Sequence, residues 1–397
     1  MNVQIGKIDV KPSEVDYDES RIEVLNKHLQ KLMDDKRIMG SAYCIARHGK
    51  IIANNSIGSA DFRDSSVIMK PDTIFETASI TKIFTATAIG KLVEDGVLRW
   101  DYPVSLFLPQ FSEVPFNEIN IAHLLTHTSG ISPDGGCFPN KYNVDSWERI
   151  FRAAKHAQKH NEECDWIAAV LSAGLRTEPG KEWAYCSIGY ALLGEIIKKA
   201  TGVFAEDYII DNICKPLLMN DTYFKLPADK ADRFCVHFES DVNYINWLTG
   251  KAEMDKDDVL WESLKIANAG GGIVSTVSDL IRFGNMLVNN GYGADGARII
   301  GRKAIEKMTT QCLDHVPDHA WGAKNNAREY GLGFDMRTGL ISTYTVGSFM
   351  HEGYGACSID MDKKEGLVAA WYTPFADDGW YSEALYSVQN IIWSGLK

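Results

Sequence analysis

The chain has 397 residues, 45% of them hydrophobic and 24% charged. That balance excludes a disordered or fibrous chain and allows two or three domains or one large one. With 41 basic against 53 acidic side chains the net charge is −12, and no basic cluster offsets it, so nucleic acid is excluded as a partner.

Residues 18–36 carry Ile22, Leu25, Leu29 and Leu32 at the spacing of an amphipathic helix. Ser41–Arg47 and Ile51–Ser56 read as strands joined at His48-Gly49-Lys50, and a third stretch ends near Phe62. Residues 80–96 are apolar on every side, which marks a buried helix. From 117 to about 220 the pattern is mostly helical, with segments at 118–127, 145–158, 163–173, 187–201 and 204–213. Residues 225–265 read as loops and short pieces. Ala269-Gly270-Gly271-Gly272 is a backbone-permissive stretch, followed by a helix from Asp279 to Asn289 with a Ser278/Asp279 start. Tyr330–Met336, Ser342–His351, Gly355–Met361 and Leu367–Tyr372 read as strands, and 380–394 as a final helix. Strands at both ends and helices between them predict an α/β fold. One sheet domain is built from residues 1–78 plus 266–397, a mostly helical domain from 79–265, and the active site lies at their interface.

Several chemistries are excluded. No apolar run reaches the ~18 residues that span a bilayer, and the N-terminus lacks a basic-then-apolar leader, so a cytoplasmic protein without membrane contact is expected. The eight cysteines are irregularly spaced without a CxxC pair and are expected to be mostly buried free thiols. His123/His127 and His315/His319 are paired at helical spacing but have no evident third ligand, so no metal or cofactor is expected. There is no GxSxG elbow, phosphate loop, dinucleotide fingerprint or HExxH.

Three constellations can carry acyl chemistry. In Ser79-Ile80-Thr81-Lys82 a hydroxyl and an amine share one helix face. A lysine at a positive helix end inside a packed core loses charge and can take the serine proton, while helix N–H groups offer half an oxyanion hole. Ser394/Lys397 repeats the pattern at the C-terminus by chance. Tyr185-Cys186-Ser187 places a tyrosine at a loop–helix junction, where a cation that depresses its pKa would let it relay a proton. His351-Glu352-Gly353 ends a strand, with Tyr354 next, so a backbone N–H there can complete an oxyanion hole.

The order and spacing of these triplets resemble the class C β-lactamase and DD-peptidase-like serine hydrolases, which include carboxylesterases, D-aminopeptidases, amidases and acyltransferases. The likeness extends through Glu76–Ala86, Ala122–Gly130, Pro179-Gly180, Tyr190–Gly194, Gly270–Gly272 with Ser278–Leu280, and Tyr330–Gly333, over residues 20 to 390. It implies the β-lactamase/transpeptidase fold, an antiparallel sheet flanked by helices. It implies Ser79 as acylated nucleophile, Lys82 and Tyr185 as proton shuttles, Ser79 and Tyr354 N–H groups as oxyanion donors, and His351 as support for the tyrosine hydroxyl. Ser187, Glu352 and Gly353 would line the substrate site.

Two residues depart from the family's lactamase and peptidase pattern. Ser187 stands where Asn is usual, and Glu352 where a hydroxyl residue often helps bind a substrate carboxylate. An anionic Glu352 repels a carboxylate or pairs with an amine. The expected partner is therefore a small ester or amide. A true β-lactamase, an acyltransferase using the same acyl-enzyme, and a penicillin-binding module without turnover are the alternatives. The aromatic residues Trp147, Tyr244, Trp247, Trp261 and Trp321 suggest an aromatic-lined cleft.

Overall fold

The structure, a computed structural model, describes residues 2–135, 137, 145–318, 320, 328–336, 343–375 and 381–397, without side chains over 381–385. In chain order the elements are β1 (Val3–Ile5), α1 (Ser20–Asp34), β2 (Gly40–Arg47), β3 (Lys50–Gly58), β4 (Phe75–Glu76), α2 (Thr81–Glu94), α3 (Ile121–Leu125), α4 (Ser146–His160), α5 (Trp166–Leu171), α6 (Ser187–Thr201) and α7 (Ala205–Ile209). There follow α8 (Glu239–Leu248), α9 (Lys256–Leu264), β5 (Val274–Ser275), α10 (Val277–Val288), α11 (Arg302–Met308), β6 (Phe349–Gly353), β7 (Cys357–Asp362), β8 (Leu367–Tyr372) and α12 (Tyr381–Trp393).

The main sheet is antiparallel in the order β1-β3-β2-β8-β7-β6. The two ends of the chain meet at its centre, where Tyr43 faces Trp371 and Ile45 faces Ala369. Both faces are covered, so β2 and β8 are buried along their whole length and mostly apolar, with Ser41 and Arg47 the polar exceptions in β2. Tyr43, Ile45, Ala369 and Trp371 pack with Leu25 and Leu29 of α1 and Val388 and Ile392 of α12. Ala42, Cys44, Val368 and Ala370 point the other way, into a cluster with Phe283 and Leu287 of α10 that continues through α2 and α6. Gly284 lets α10 approach closely, because a Cβ there would lie 2.4 Å from Val368. This is the β-lactamase/transpeptidase architecture expected from the sequence.

Several local expectations need correction. Residues 330–336 form no strand, and only single bridges join Tyr330 to Asp335 and Asp335 to Met350. Their alternation comes from Gly331, which lies against Met308 O, and Gly333, held at φ +94° over Ala86. The next strand is confined to Phe349–Gly353, and Ser342 lies outside the described residues. The 225–265 region contains α8 and α9, whose starts are set by carboxylates: Asp241 accepts from His237 N and Phe238 N, and Asp255 from Asp257 N. Thr276, not Ser278, caps α10, accepting from Asp279 N at 3.2 Å. Helix 118–127 shrinks to Ile121–Leu125, because Asn120 caps it and His127 takes φ +56°. All eight cysteines are free, and Cys164 and Cys312 are half-buried while the other six are buried.

Candidate active site

The turn that carries Ser79 is built before its helix begins. Ala78 holds φ +43°, a left-handed conformation that costs a non-glycine residue about 1–2 kcal/mol. A 3-10 turn over Ala78–Ile80 then leads into α2 and leaves Ser79 half-exposed. The glycine-rich segment is stitched alongside. Thr77 donates from N and Oγ1 to Ile273 O, Ile273 N donates to Thr81 Oγ1, and Thr85 Oγ1 donates to Ala269 O. Gly270 O therefore sits over the helix start.

Lys82 follows one turn later and is fully buried. Its Nζ lies 3.0 Å from Ser79 Oγ and donates to Gly270 O at 2.8 Å. Burial lowers its pKa to about 8, against the opposing pull of Asp134's charge. The Tyr185 and Tyr190 rings lie 4.8 and 5.5 Å from the amine.

The Tyr185 side chain hydrogen-bonds Ser79, so the structure brings Ser79, Lys82 and Tyr185 together. The expected sign of the tyrosine shift is wrong, however. Burial pushes the phenol well above its ordinary value, and the charges of Asp134 and Glu352 push the same way. Tyr185 is a neutral phenol able to pass a proton on, and Lys82 is the group that loses one near neutral pH.

His127 fastens this tyrosine. Its Nδ1 accepts from Cys186 N at 3.0 Å, its carbonyl accepts from Ala184 N, and its ring lies 4.4 Å from that of Tyr185. Burial and Lys82 hold it well below the usual histidine range, hence neutral. His123 serves as a cap, its Nδ1 accepting from Asn120 N. His315 is exposed beside Asp314, and His319 lies outside the described residues. Among the described residues no three His, Cys, Asp or Glu side chains cluster for a metal. Ser394 Oγ donates to Ile391 O at the end of the last helix and accepts from Arg21 Nε at 2.8 Å.

Strand β6 delivers the third constellation. His351 is buried, with Nδ1 donating to Glu352 O at 2.7 Å and Nε2 3.4 Å from Tyr330 OH. Tyr330 in turn lies 5.5 Å from His127, which links His351 to the Tyr185 cluster. Glu352 is half-buried. Gly353 abuts the Ser79 turn, since a Cβ there would lie 2.2 Å from Thr77 O and 2.6 Å from Cys357 Sγ. Tyr354 exposes its ring, stacked on Phe238. Gly353→Ala is therefore expected to push β6 off the Ser79 turn. Stability should fall by about 1–3 kcal/mol, and the rate of any reaction at Ser79 roughly a hundredfold. Rate assays and thermal melts check this, and an unaltered rate refutes it.

Ser187, the first residue of α6, is not presented freely. Its Oγ donates to Asp134 Oδ2 at 2.5 Å and its N to Asp134 Oδ1 at 2.7 Å. Asp134 went unnoticed in the sequence, where an Asp beside two glycines reads as a turn. Ser187, Ser79, Trp147, Gly270 and Gly271 line a cavity of about 170 Å³. Of the expected aromatic residues, Trp147 reaches this cavity and packs edge-on against Trp261. Tyr244 and Trp247 line a larger one, about 950 Å³, which shares Asn268 and Gly271 with it. Trp321 lies outside the described residues.

A family model described as Beta-lactamase matches residues 25–381. The chain belongs to the beta-lactamase family. Within the family it is 30% identical over 297 residues to penicillin-binding protein 4* of Bacillus subtilis, a match that covers 73% of this chain and 62% of that protein. The fold is shared with a penicillin-binding protein homolog from Caulobacter crescentus (TM-score 0.74, 20% identity, 98% and 100% of the two chains). It is shared also with a family VIII carboxylesterase (TM-score 0.66, 20% identity, 97% and 99%). Members of the beta-lactamase family are generally serine hydrolases. Among the described residues no helix is long and apolar enough to cross a membrane.

Proposed function

We propose that this chain is a serine acyl-hydrolase that opens a small ester or amide through an acyl-enzyme on Ser79. The observation that carries the reading is the 3.0 Å approach of Ser79 Oγ to a buried amine with a pKa of about 8. Such an amine is partly neutral near pH 7 and can accept the serine proton as Oγ attacks the carbonyl carbon. Tyr185 passes that proton to the departing alkoxide or amine. Backbone N–H groups of Ser79 and Tyr354 hold the oxyanion. Water, deprotonated along the same route, then attacks the acyl carbon and releases the acid and Ser79.

Esters and amides without a carboxylate are favoured over β-lactams. Asp134 and Glu352 both act electrostatically on Tyr185, so the site carries two acidic groups beside a single buried lysine. A substrate carboxylate would meet repulsion there, and a substrate amine would not. The test sets p-nitrophenyl acetate and butyrate, nitrocefin and a D-alanine anilide side by side, with Ser79→Ala as control. Ester turnover that needs Ser79 and exceeds nitrocefin cleavage is expected. Faster nitrocefin cleavage would establish a β-lactamase instead, and no Ser79-dependent turnover of any substrate would defeat the hydrolase reading. Adding alcohols and amines to the ester assay separates hydrolysis from acyl transfer.

A further inference from the structure

The loop after Gly130 supplies a carboxylate that belongs to none of the three constellations. Asp134 is tied to the Tyr185–Ser187 segment three times: its N donates to Tyr185 O at 2.9 Å, and its two oxygens accept from Ser187 N and Ser187 Oγ. Both oxygens accept, as those of an ionised carboxylate do. The site is also favourable for an anion, because Ser187 N is one of the unpaired donors at the start of the long helix α6. Neighbouring bonds make the same join, with Ala184 N on His127 O, Cys186 N on His127 Nδ1 and Cys186 Sγ on Ser132 O. The Tyr185 turn is thus laced to residues 127–134, and Asp134 is the one anionic member of the lacing.

We propose that Asp134 is a positioning residue of the Ser79 site, which fixes Tyr185 and Ser187 through these bonds and sets a negative charge against Lys82. The proposal rests on the hydrolase reading above. The charge has a definite direction of effect. Burial drives Lys82 toward the free amine, and Asp134 opposes it, as Cys186 does more weakly. The other groups around the amine are Ser79, Gly270 O, the rings of Tyr185 and Tyr190, and His127, itself kept neutral. Asp134 feels Lys82 and Ser187 as stabilising partners and Asp145 as a repelling one, while burial holds its own pKa up. Its charge also pushes the Cys137 and Cys186 thiols and the Tyr185 phenol upward. Without Asp134 the lysine becomes neutral at lower pH, and the tyrosine turn loses its clamp.

The experiment follows the pH profile of kcat/KM for p-nitrophenyl acetate in wild type, Asp134→Asn, Asp134→Ala and Ser187→Ala. Asn can keep both bonds to Ser187 while removing the charge. Its acid limb should move to lower pH, raising the rate near pH 6.5, relative to the plateau, by roughly twofold or more. Ser187→Ala keeps the carboxylate, so its limb stays in place. Asp134→Ala loses clamp and charge together, and kcat should fall roughly tenfold or more. Direct NMR titration of Lys82 in lysine-labelled protein, assigned with Lys82→Met, should move with the limb. An unmoved limb and unmoved Lys82 titration in folded Asp134→Asn overturn the proposal, as does wild-type kcat in Asp134→Ala. If Asp134→Asn does not fold, Asp134→Glu keeps the charge while displacing the bonds. Its kcat should fall with the limb in place, and an unchanged kcat again overturns the proposal. Absence of Ser79-dependent turnover in wild type defeats the hydrolase reading instead, and the Lys82 titration still decides the effect of Asp134.

Discussion

Ser79→Ala should lower ester turnover by roughly 10⁴-fold or more while leaving the protein folded. The size follows from the absence of a substitute. Among the described residues Ser187 is the other hydroxyl lining the 170 Å³ cavity, and its proton is committed to Asp134 at 2.5 Å. Removing Oγ therefore removes the attacking atom, and Lys82 and Tyr185 can then only assist direct attack by water, a much slower route. Stability should change by less than about 1 kcal/mol, because Ser79 is half-exposed and Lys82 keeps its bond to Gly270 O. Two measurements check the result: the rate on p-nitrophenyl acetate, and the intact mass after a fluorophosphonate, which should label wild type once and the variant not at all. A variant that kept a tenth of the activity would show that the acyl group forms elsewhere or that water attacks directly.

What the sequence disclosed and what it hid divide along a physical line. Ser79 and Lys82 are one helical turn apart, so their meeting is a local property of the chain and is visible in spacing alone. Tyr185 and His351 are brought in by tertiary closure, and only their order along the chain in a familiar pattern pointed to them. Asp134 had no such pattern. Its partners are more than fifty residues away, and nothing in Pro133-Asp134-Gly135 distinguishes a site residue from a turn. Residues 330–336 misled for a different reason. Glycines that permit close approach to Met308 and Ala86 occupy alternate positions and imitate the period of a strand. The sign of the Tyr185 shift was missed because a nearby cation is easy to see in a sequence and burial is not. In the folded chain burial dominates.

The same balance of burial against charge predicts the behaviour of Lys82→Met. Met matches the lysine stem in length and leaves no amine to act as base, so turnover should fall roughly 10²–10⁴-fold. Lys82→Arg should be as inactive, since an arginine keeps its proton throughout the working range; activity in Lys82→Arg would mean that charge rather than proton acceptance is what the site requires. Stability should move the opposite way from activity. Lys82 has its pKa lowered from 10.5 to about 8 by burial, so below about pH 8 the folded state carries a desolvated ammonium that the unfolded chain keeps in water. The shift corresponds to about 3 kcal/mol, and the loss of the donor to Gly270 O takes back about 1 kcal/mol or more. Lys82→Met is accordingly expected to be more stable than wild type by about 1–2 kcal/mol near pH 7. Between about pH 8 and 10.5 the folded protein releases this proton while the unfolded chain still holds it, so wild-type stability rises relative to the variant and the advantage fades. Urea unfolding of both proteins near pH 7 and again near pH 10 measures the difference. A variant less stable than wild type at both would mean that the ammonium is well solvated by Ser79, Gly270 and Asp134, and that the amine does not become a base near neutral pH. The rate argument would fail with it, because the depressed pKa that makes Lys82 a base is the same quantity that makes it costly to bury.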